Sequence, residues 1–240
     1  MRIDDQPGWI LHARPYRETS VLLECLSREF GRVGLVARGV RKDKPRQPRA
    51  LLQAFAPVSF SWAGQGELAT LVGVDARGQP PVLQGEALMC GMYVNELVIR
   101  LVQRQDPLPD LFDCYESTLY RLAQPLSRPW TLRRFERDLL SEIGYGVAAE
   151  EADTGDELDA EADYAYVPEH GAVRWANQPD ALRLRGSALL ALIEDSEPHP
   201  RDLATLRLLM RALISHQLGG ASLRSWSLLA PPSRQDSPSR

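Results

Sequence analysis

The sequence predicts an α+β protein: an N-terminal five-stranded OB-fold β-barrel followed by a mainly α-helical domain. Three observations point there. Up to about Ala76 short apolar runs alternate with turn residues, and beyond it apolar residues recur at helical spacing. The change falls at a single breaker cluster, Gly78-Gln-Pro-Pro. A chain of 240 residues, 44% hydrophobic and 25% charged, has the material for a buried core in one large domain or two medium ones. The expected division is 1–78 for the barrel and 79–230 for the helical domain, with an acidic loop at 150–163. A disordered tail is expected at 231–240, PPSRQDSPSR.

The strands come first. Residues 9–13 are short and apolar, and 20–27 (SVLLECLS) form a dense apolar run. Residues 28–31 (REFG) have the length and glycine of a hairpin connection, after which 33–37 continue as a strand. Residues 58–62 and 68–74 are separated by a second hairpin signal, AGQG. Five short strands divided by turns suit a small closed barrel better than a sandwich. Gly31, Gly34 and Gly39 allow its corners to bend.

The helices follow. Cys90, Tyr93, Leu97 and Leu101 form a stripe that Val94, Val98 and Val102 thicken, so this helix should be buried on more than one side. Residues 107–123 place Leu111, Tyr115, Thr118 and Leu122 on one face. Thr131 is the expected cap of a third helix carrying Leu132, Phe135, Leu139 and Ile143, and Gly144 stops it. Residues 150–163 (EEADTGDELDAEAD) hold eight acids and no base, and read as a polar loop without apolar anchors. A small hairpin is expected from 164–167 and 172–175. Helices at 186–195 and 202–218 complete the chain, the second with Leu203, Leu206, Met210 and Leu213 inward.

Charge is where the sequence becomes specific. The net charge is −4, yet seven of the nineteen residues from 31 to 49 are basic against one acid, including both lysines of the chain. A positive concentration on an acidic protein points to a polyanion, with nucleic acid the first candidate. Arg14, Arg17, Arg32, Arg38, Arg41, Lys42, Lys44, Arg46 and Arg49 lie on strand ends and connections of the barrel, which closure would bring towards one groove. Mobile cations on a Gly- and Pro-bounded loop suit phosphate contact, which needs no fixed spacing. The plain alternative is a solvated loop. Trp9, Tyr16, Phe30 and Trp62 are the local aromatics for base stacking, although a small barrel needs most of them for its core.

A second cluster surrounds the third helix, where Arg133, Arg134 and Arg137 follow Arg128. Arginines at a helix start oppose the helix dipole, which suggests capture of a partner's carboxylates. A solvated face paired with Glu136 and Asp138 is the simpler reading.

Catalytic constellations are absent. His12, His170, His199 and His216 are isolated, and no G-x-S-x-G, Walker-type loop or H-E-x-x-H occurs. Cys25, Cys90 and Cys114 are an odd, widely spaced set in apolar segments, better read as buried thiols than as a disulfide framework or zinc site. A metal-dependent nuclease built on the acidic run would need rigidly converging carboxylates, which that run does not offer. No cofactor or metal is expected. The first residues, MRIDDQPGW, lack the pattern of a signal peptide, and no apolar run nears the ~20 residues of a membrane span. The expected location is cytoplasmic.

The stretches HARPYRETSVLL (12–23), GRVGLVARGVR (31–41), MYVNELVIRL (92–101), LRRFERDLLSEIGYG (132–146) and LGG (218–220) together resemble the bacterial RecO recombination mediator family. The resemblance implies the fold already read from the pattern, with no enzymatic activity. It implies DNA repair and homologous recombination through the RecF pathway, binding of single- and double-stranded DNA, and annealing of complementary strands. It further implies partnership with RecR, contact with the acidic C-terminal tail of single-stranded DNA-binding protein, help in loading RecA, and a nucleoid-associated monomer. Arg32, Arg38, Arg41, Lys42 and Lys44 inherit the DNA-binding expectation, and Arg133 matches a position associated with tail binding. One departure stands out: many members carry a cysteine-rich zinc-binding insertion after the GYG turn, where this chain has its acidic run. It looks like the zinc-free branch. An adaptor that mainly binds acidic tails, with DNA binding incidental, is the second reading.

Overall fold

The computed structural model describes residues 1–42, 47–178 and 181–229. Five strands, β1 (Arg2–Tyr16), β2 (Ser20–Ser27), β3 (Gly31–Ala37), β4 (Pro57–Ala63) and β5 (Leu68–Ala76), close into a barrel in the order β1-β2-β3-β5-β4. All neighbours are antiparallel except β3 and β5, whose parallel pairing completes the OB-fold circuit. The 38–56 connection holds a 3₁₀ turn at Arg49–Leu52.

Strand alternation makes the barrel wall two-sided. Ile10, Leu23, Cys25, Leu35, Val58 and Phe60 fill the interior, whereas Trp9, Leu11 and Leu26 belong to the core of the helical part. This explains the dense run SVLLECLS: it is buried on both faces rather than on one.

The helices are α1 (Glu86–Leu101), α2 (Pro109–Leu122), α3 (Arg128–Glu142), α4 (Gly186–Ile193), α5 (Leu203–Gln217) and α6 (Ser225–Leu228). Between α3 and α4 lies a small sheet of β6 (Asp163–Val167), β7 (Gly171–Arg174) and β8 (Arg183–Arg185), ordered β7-β6-β8. No described helix is long and apolar enough to cross a membrane.

Polar contacts fix the barrel against the helices. Asn95 Nδ2 donates to the Leu11 carbonyl at 2.7 Å, and the Tyr115 hydroxyl donates to Asn95 Oδ1 at 2.7 Å. Glu24 on β2 takes Arg32 from β3 and Arg104 from the segment after α1. Two glycines permit close approaches, Gly31 to the segment after α1 and Gly34 to the start of β5 within the barrel. A Cβ on Gly34 would come within 2.7 Å of the Glu67 carbonyl, and one on Gly31 within 1.9 Å of the Asp106 carbonyl.

Three sequence expectations are corrected. The third helix starts a turn earlier than expected, with Ser127 rather than Thr131 as its cap; Ser127 Oγ accepts from the Trp130 N–H at 3.4 Å. Strand β1 runs far beyond residues 9–13, with a register shift between Ile10 and His12. The acidic run has apolar and buried anchors after all: Leu158 is buried, and the buried Glu151 accepts from the Tyr164 hydroxyl at 2.9 Å and pairs with Arg174 at 2.7 Å. The 231–240 tail lies outside the described residues.

Candidate nucleic-acid and partner surfaces

A groove of about 730 Å³ opens on the barrel surface, bounded by the β1–β2 turn, the end of β3 and the start of β5. Arg17, Arg38 and Lys42 line it, beside Tyr16, Thr19, Val36 and Thr70. Local bonds assemble these cations. The Arg41 N–H donates to the Thr19 carbonyl at 3.0 Å and its guanidinium to the Arg17 carbonyl at 3.5 Å, tying the end of β3 to the β1–β2 turn. From behind, Arg49 donates to the carbonyls of Val40 at 2.6 Å and Lys42 at 3.3 Å. Arg17 takes a left-handed backbone at φ 53° and stacks over the Tyr16 ring at 5.2 Å.

Among the described residues, no carboxylate lies within ion-pair distance of Arg14, Arg17, Arg38, Arg41, Lys42 or Arg49. All six are exposed. Positive side chains gathered beside an open groove, with no carboxylate partner among the described residues, form a surface ready for phosphates. Arg14 stands apart from the lining, on β1 opposite Leu22. Lys44 and Arg46 lie outside the described residues.

Arg32 is different. It lies at the other end of β3, about 20 Å from Arg38 at ~3.3 Å per strand residue. Its side chain is only 14% exposed, pairs with Glu24 at 3.0 Å and donates from Nε to the Val102 carbonyl at 3.0 Å. Burial lowers its guanidinium pKa, against the pull of Glu24. The structure places it in the joint between barrel and helices, away from the groove. Of the aromatics, Trp9 and Trp62 are buried, with Trp9 packed edge-on against Tyr115 and Trp62 against Phe30. Tyr16, half-buried at the groove, is the one placed near the cations.

The second cluster does not form one exposed face. Arg133 is 5% exposed and paired with Glu136, which is fully buried and also accepts from the Tyr93 hydroxyl at 2.6 Å. Burial pushes the Glu136 carboxyl up, opposed by Arg133 and Tyr93. Arg134 and Arg137 both bind Asp195 after α4, and Arg137 also binds Asp138 and donates to the Leu192 carbonyl at 2.9 Å. Burial alone would raise the Asp195 carboxyl, but Arg137 and Arg134 outweigh it and hold the pKa below the usual range. Neither the solvated face nor the open carboxylate trap describes these residues fully.

Arg133 nonetheless borders a cavity of about 400 Å³ between α1, α3, α5 and the C-terminal segment. Its walls are mainly apolar, with Cys90, Leu132, Leu203, Ala204 and Trp226; Arg128, Arg207 and Arg211 also line it, as does Glu86, which pairs with Arg128 at 3.4 Å. Sequence reasoning missed Arg207, Arg211 and Trp226. The i, i+4 spacing of the two arginines on α5 was a usable signal, but nothing in the sequence places Trp226 beside them. An apolar cavity edged by arginines suits a short acidic peptide with an apolar end.

Nucleophilic chemistry has little support among the thiols. Burial pushes all three up, Cys90 to about 11. Among the described residues no group of three His, Cys, Asp or Glu is placed to hold a metal ion.

Comparison with known proteins assigns the family. Residues 1–79 match the model of the recombination protein O N-terminal region, and residues 83–227 that of its C-terminal region. The chain belongs to the recombination protein O family. Its similarity extends to a DNA repair protein RecO of Stenotrophomonas maltophilia K279a, 47% identical over 232 residues, covering 95% of this chain and 97% of that protein. A DNA repair protein RecO of Nitrosococcus oceani is 43% identical over 95% of this chain and 94% of its own length. That of Xanthomonas oryzae pv. oryzae PXO99A is 41% identical over 98% and 100%. Membership of the recombination protein O family places this chain in DNA repair and recombination, as a mediator rather than an enzyme.

Proposed function

We propose that the protein binds single- and double-stranded DNA through the barrel groove and anneals complementary strands. Residues 1–78 serve as the nucleic-acid-binding unit and 79–230 as the partner-binding unit. Arg17, Arg38, Arg41 and Lys42 contact phosphates directly, and Arg49 holds the loop that presents them. Annealing requires two mutually repelling strands to be neutralised together, which an exposed cation cluster supplies. The observation that carries this reading is that cluster: Arg17, Arg38 and Lys42 line an open groove, Arg41 is tied to its rim, and none has a carboxylate partner among the described residues.

The arginine-lined cavity receives the acidic C-terminal tail of single-stranded DNA-binding protein, with the apolar end seated against Leu132, Leu203 and Trp226. In this reading Arg133 shapes the cavity through Glu136, Arg128 is held by Glu86, and Arg207 and Arg211 meet the peptide's acids. Together with RecR, the complex helps load RecA onto DNA coated by single-stranded DNA-binding protein. The protein acts in the cytoplasm at the nucleoid, as a monomer when free.

The test is strand annealing on DNA coated with single-stranded DNA-binding protein. Loss of annealing in Arg38→Ala with Lys42→Ala, and loss only on coated DNA in Arg207→Ala, is the expected pattern. Full annealing by the barrel variant would remove the groove from the mechanism. The adaptor reading is favoured by the cavity itself, and it gains if peptide binding persists while the barrel variant anneals normally.

A further inference from the structure

One wall of the arginine-lined cavity belongs to none of its long helices. After Gly219-Gly220, both with positive φ, the chain turns back and residues 223–229 close the cavity, with Trp226 and Leu229 facing it. The helix in this segment, α6, has four residues, too few to hold itself together. Its placement depends on outside contacts. Glu96 on α1 accepts from the Arg224 N–H at 2.9 Å, the Ser225 N–H at 2.8 Å and the Ser225 hydroxyl at 2.5 Å. Three bonds from a separate segment thus converge on one carboxylate, which caps α6 from another helix.

Partial burial alone would raise the Glu96 carboxyl, but the Ser225 hydroxyl and the two N–H groups outweigh it and keep the group below its ordinary range. Arg211 stacks over the Trp226 ring at 4.3 Å, and Arg207 donates to the Leu229 carbonyl at 3.2 Å. The cavity arginines therefore also brace this wall, while Glu96 secures the end where the wall begins.

We propose that residues 223–229 are a movable wall of the cavity, latched by Glu96, and that this latch sets how long an acidic, apolar-ended peptide stays bound. The inference rests on the reading of the cavity as a peptide site. The arginines govern encounter, since charge acts at a distance and mainly changes the association rate. The wall governs release. An apolar end gains from burial only while it is enclosed, and without Trp226 the cavity is open on that side. Glu96 is a positioning residue: it does not line the cavity, and it acts through Ser225 and the indole of Trp226.

The experiment follows the full-length chain with the fluorescein-labelled peptide Asp-Asp-Asp-Leu-Phe, by anisotropy for affinity and stopped flow for rates. Glu96→Ala is expected to release the peptide about tenfold faster, with association rate and salt dependence unchanged. Glu96→Gln should fall between the two, because its amide oxygen still accepts. Ser225→Ala removes one bond of three and should accelerate release less, and it carries the test if Glu96→Ala does not fold. Arg207→Ala reports on the cavity itself by slowing association; because it also loses the brace on the Leu229 carbonyl, only its association rate is compared. If the parent binds, Arg207→Ala slows association, and both Glu96→Ala and Ser225→Ala release at the parent rate, the latch is overturned while the cavity stands. If the parent does not bind the peptide, the cavity reading falls and the latch falls with it.

Discussion

The barrel and α3 are both rich in arginine, and the fold treats their cations in opposite ways. Around the barrel groove, Arg17, Arg38, Arg41 and Lys42 are exposed and carry no carboxylate partner among the described residues. Around α3, Arg128, Arg133, Arg134 and Arg137 each meet an internal acid: Glu86, Glu136, and Asp195 for the last two. Identical side chains thus do different work. A cation without an internal counter-charge pays little desolvation and is available to a phosphate; one already paired holds structure, and breaking the pair leaves a charge stranded. Arg32 shows that the distinction follows pairing rather than address, since it sits on the barrel and yet belongs with the structural set.

The largest effect should come from Arg133. Arg133→Ala strands the fully buried Glu136 and should cost about 3–5 kcal/mol in a urea denaturation series. Arg133→Met with Glu136→Leu should recover most of that loss, because the stranded charge goes with the arginine. The single variant is therefore a poor probe of partner binding, and Arg207 is the cleaner choice. Next is the groove: Arg38→Ala, Arg41→Ala and Lys42→Ala together should weaken single-stranded DNA binding about 100-fold at low salt, with little change in melting temperature.

Arg32→Ala should do the reverse. It loses two charged hydrogen bonds at the joint and should cost about 2 kcal/mol of stability while DNA affinity stays near that of the parent. The smallest effect is expected for Asp195→Asn, about 0.5–1 kcal/mol, because that ion pair is partly exposed. It has a distinct pH signature. The Asp195 pKa is lowered in the fold, so the stability it gives is complete above its unfolded value of about 3.9 and is lost as pH falls through the lower folded value. The gap between parent and variant should shrink below about pH 4, as thermal melts across pH can show.

The barrel was legible because turn chemistry and strand length are local properties. REFG and AGQG marked real connections, and the basic loop declared itself by composition alone. What stayed hidden depends on tertiary neighbours. Arg133 looks like a surface residue until Tyr93, from another helix, joins Glu136 in burying it. Glu151 looks like one of eight loose acids until Tyr164 and Arg174 fold over it. Strand β8 has three residues, Arg-Leu-Arg, too few to show alternation. Thr131 adjoins the apolar stripe, but the cap lies one turn earlier at Ser127, because Arg-Pro-Trp, with proline in the first turn, carries the helix back to it.

The contrast between the two cation sets is tested most directly by the salt dependence of single-stranded DNA binding in two triple variants. The first replaces Arg38, Arg41 and Lys42 by alanine; the second replaces Arg32, Arg134 and Arg137. The expected result is a log–log slope flatter by about 2 in the first, from three contacts at ~0.7 each, and a parent-like slope in the second. Equal flattening in both, or none in the first, would contradict the claim that pairing within the fold decides which cations meet DNA.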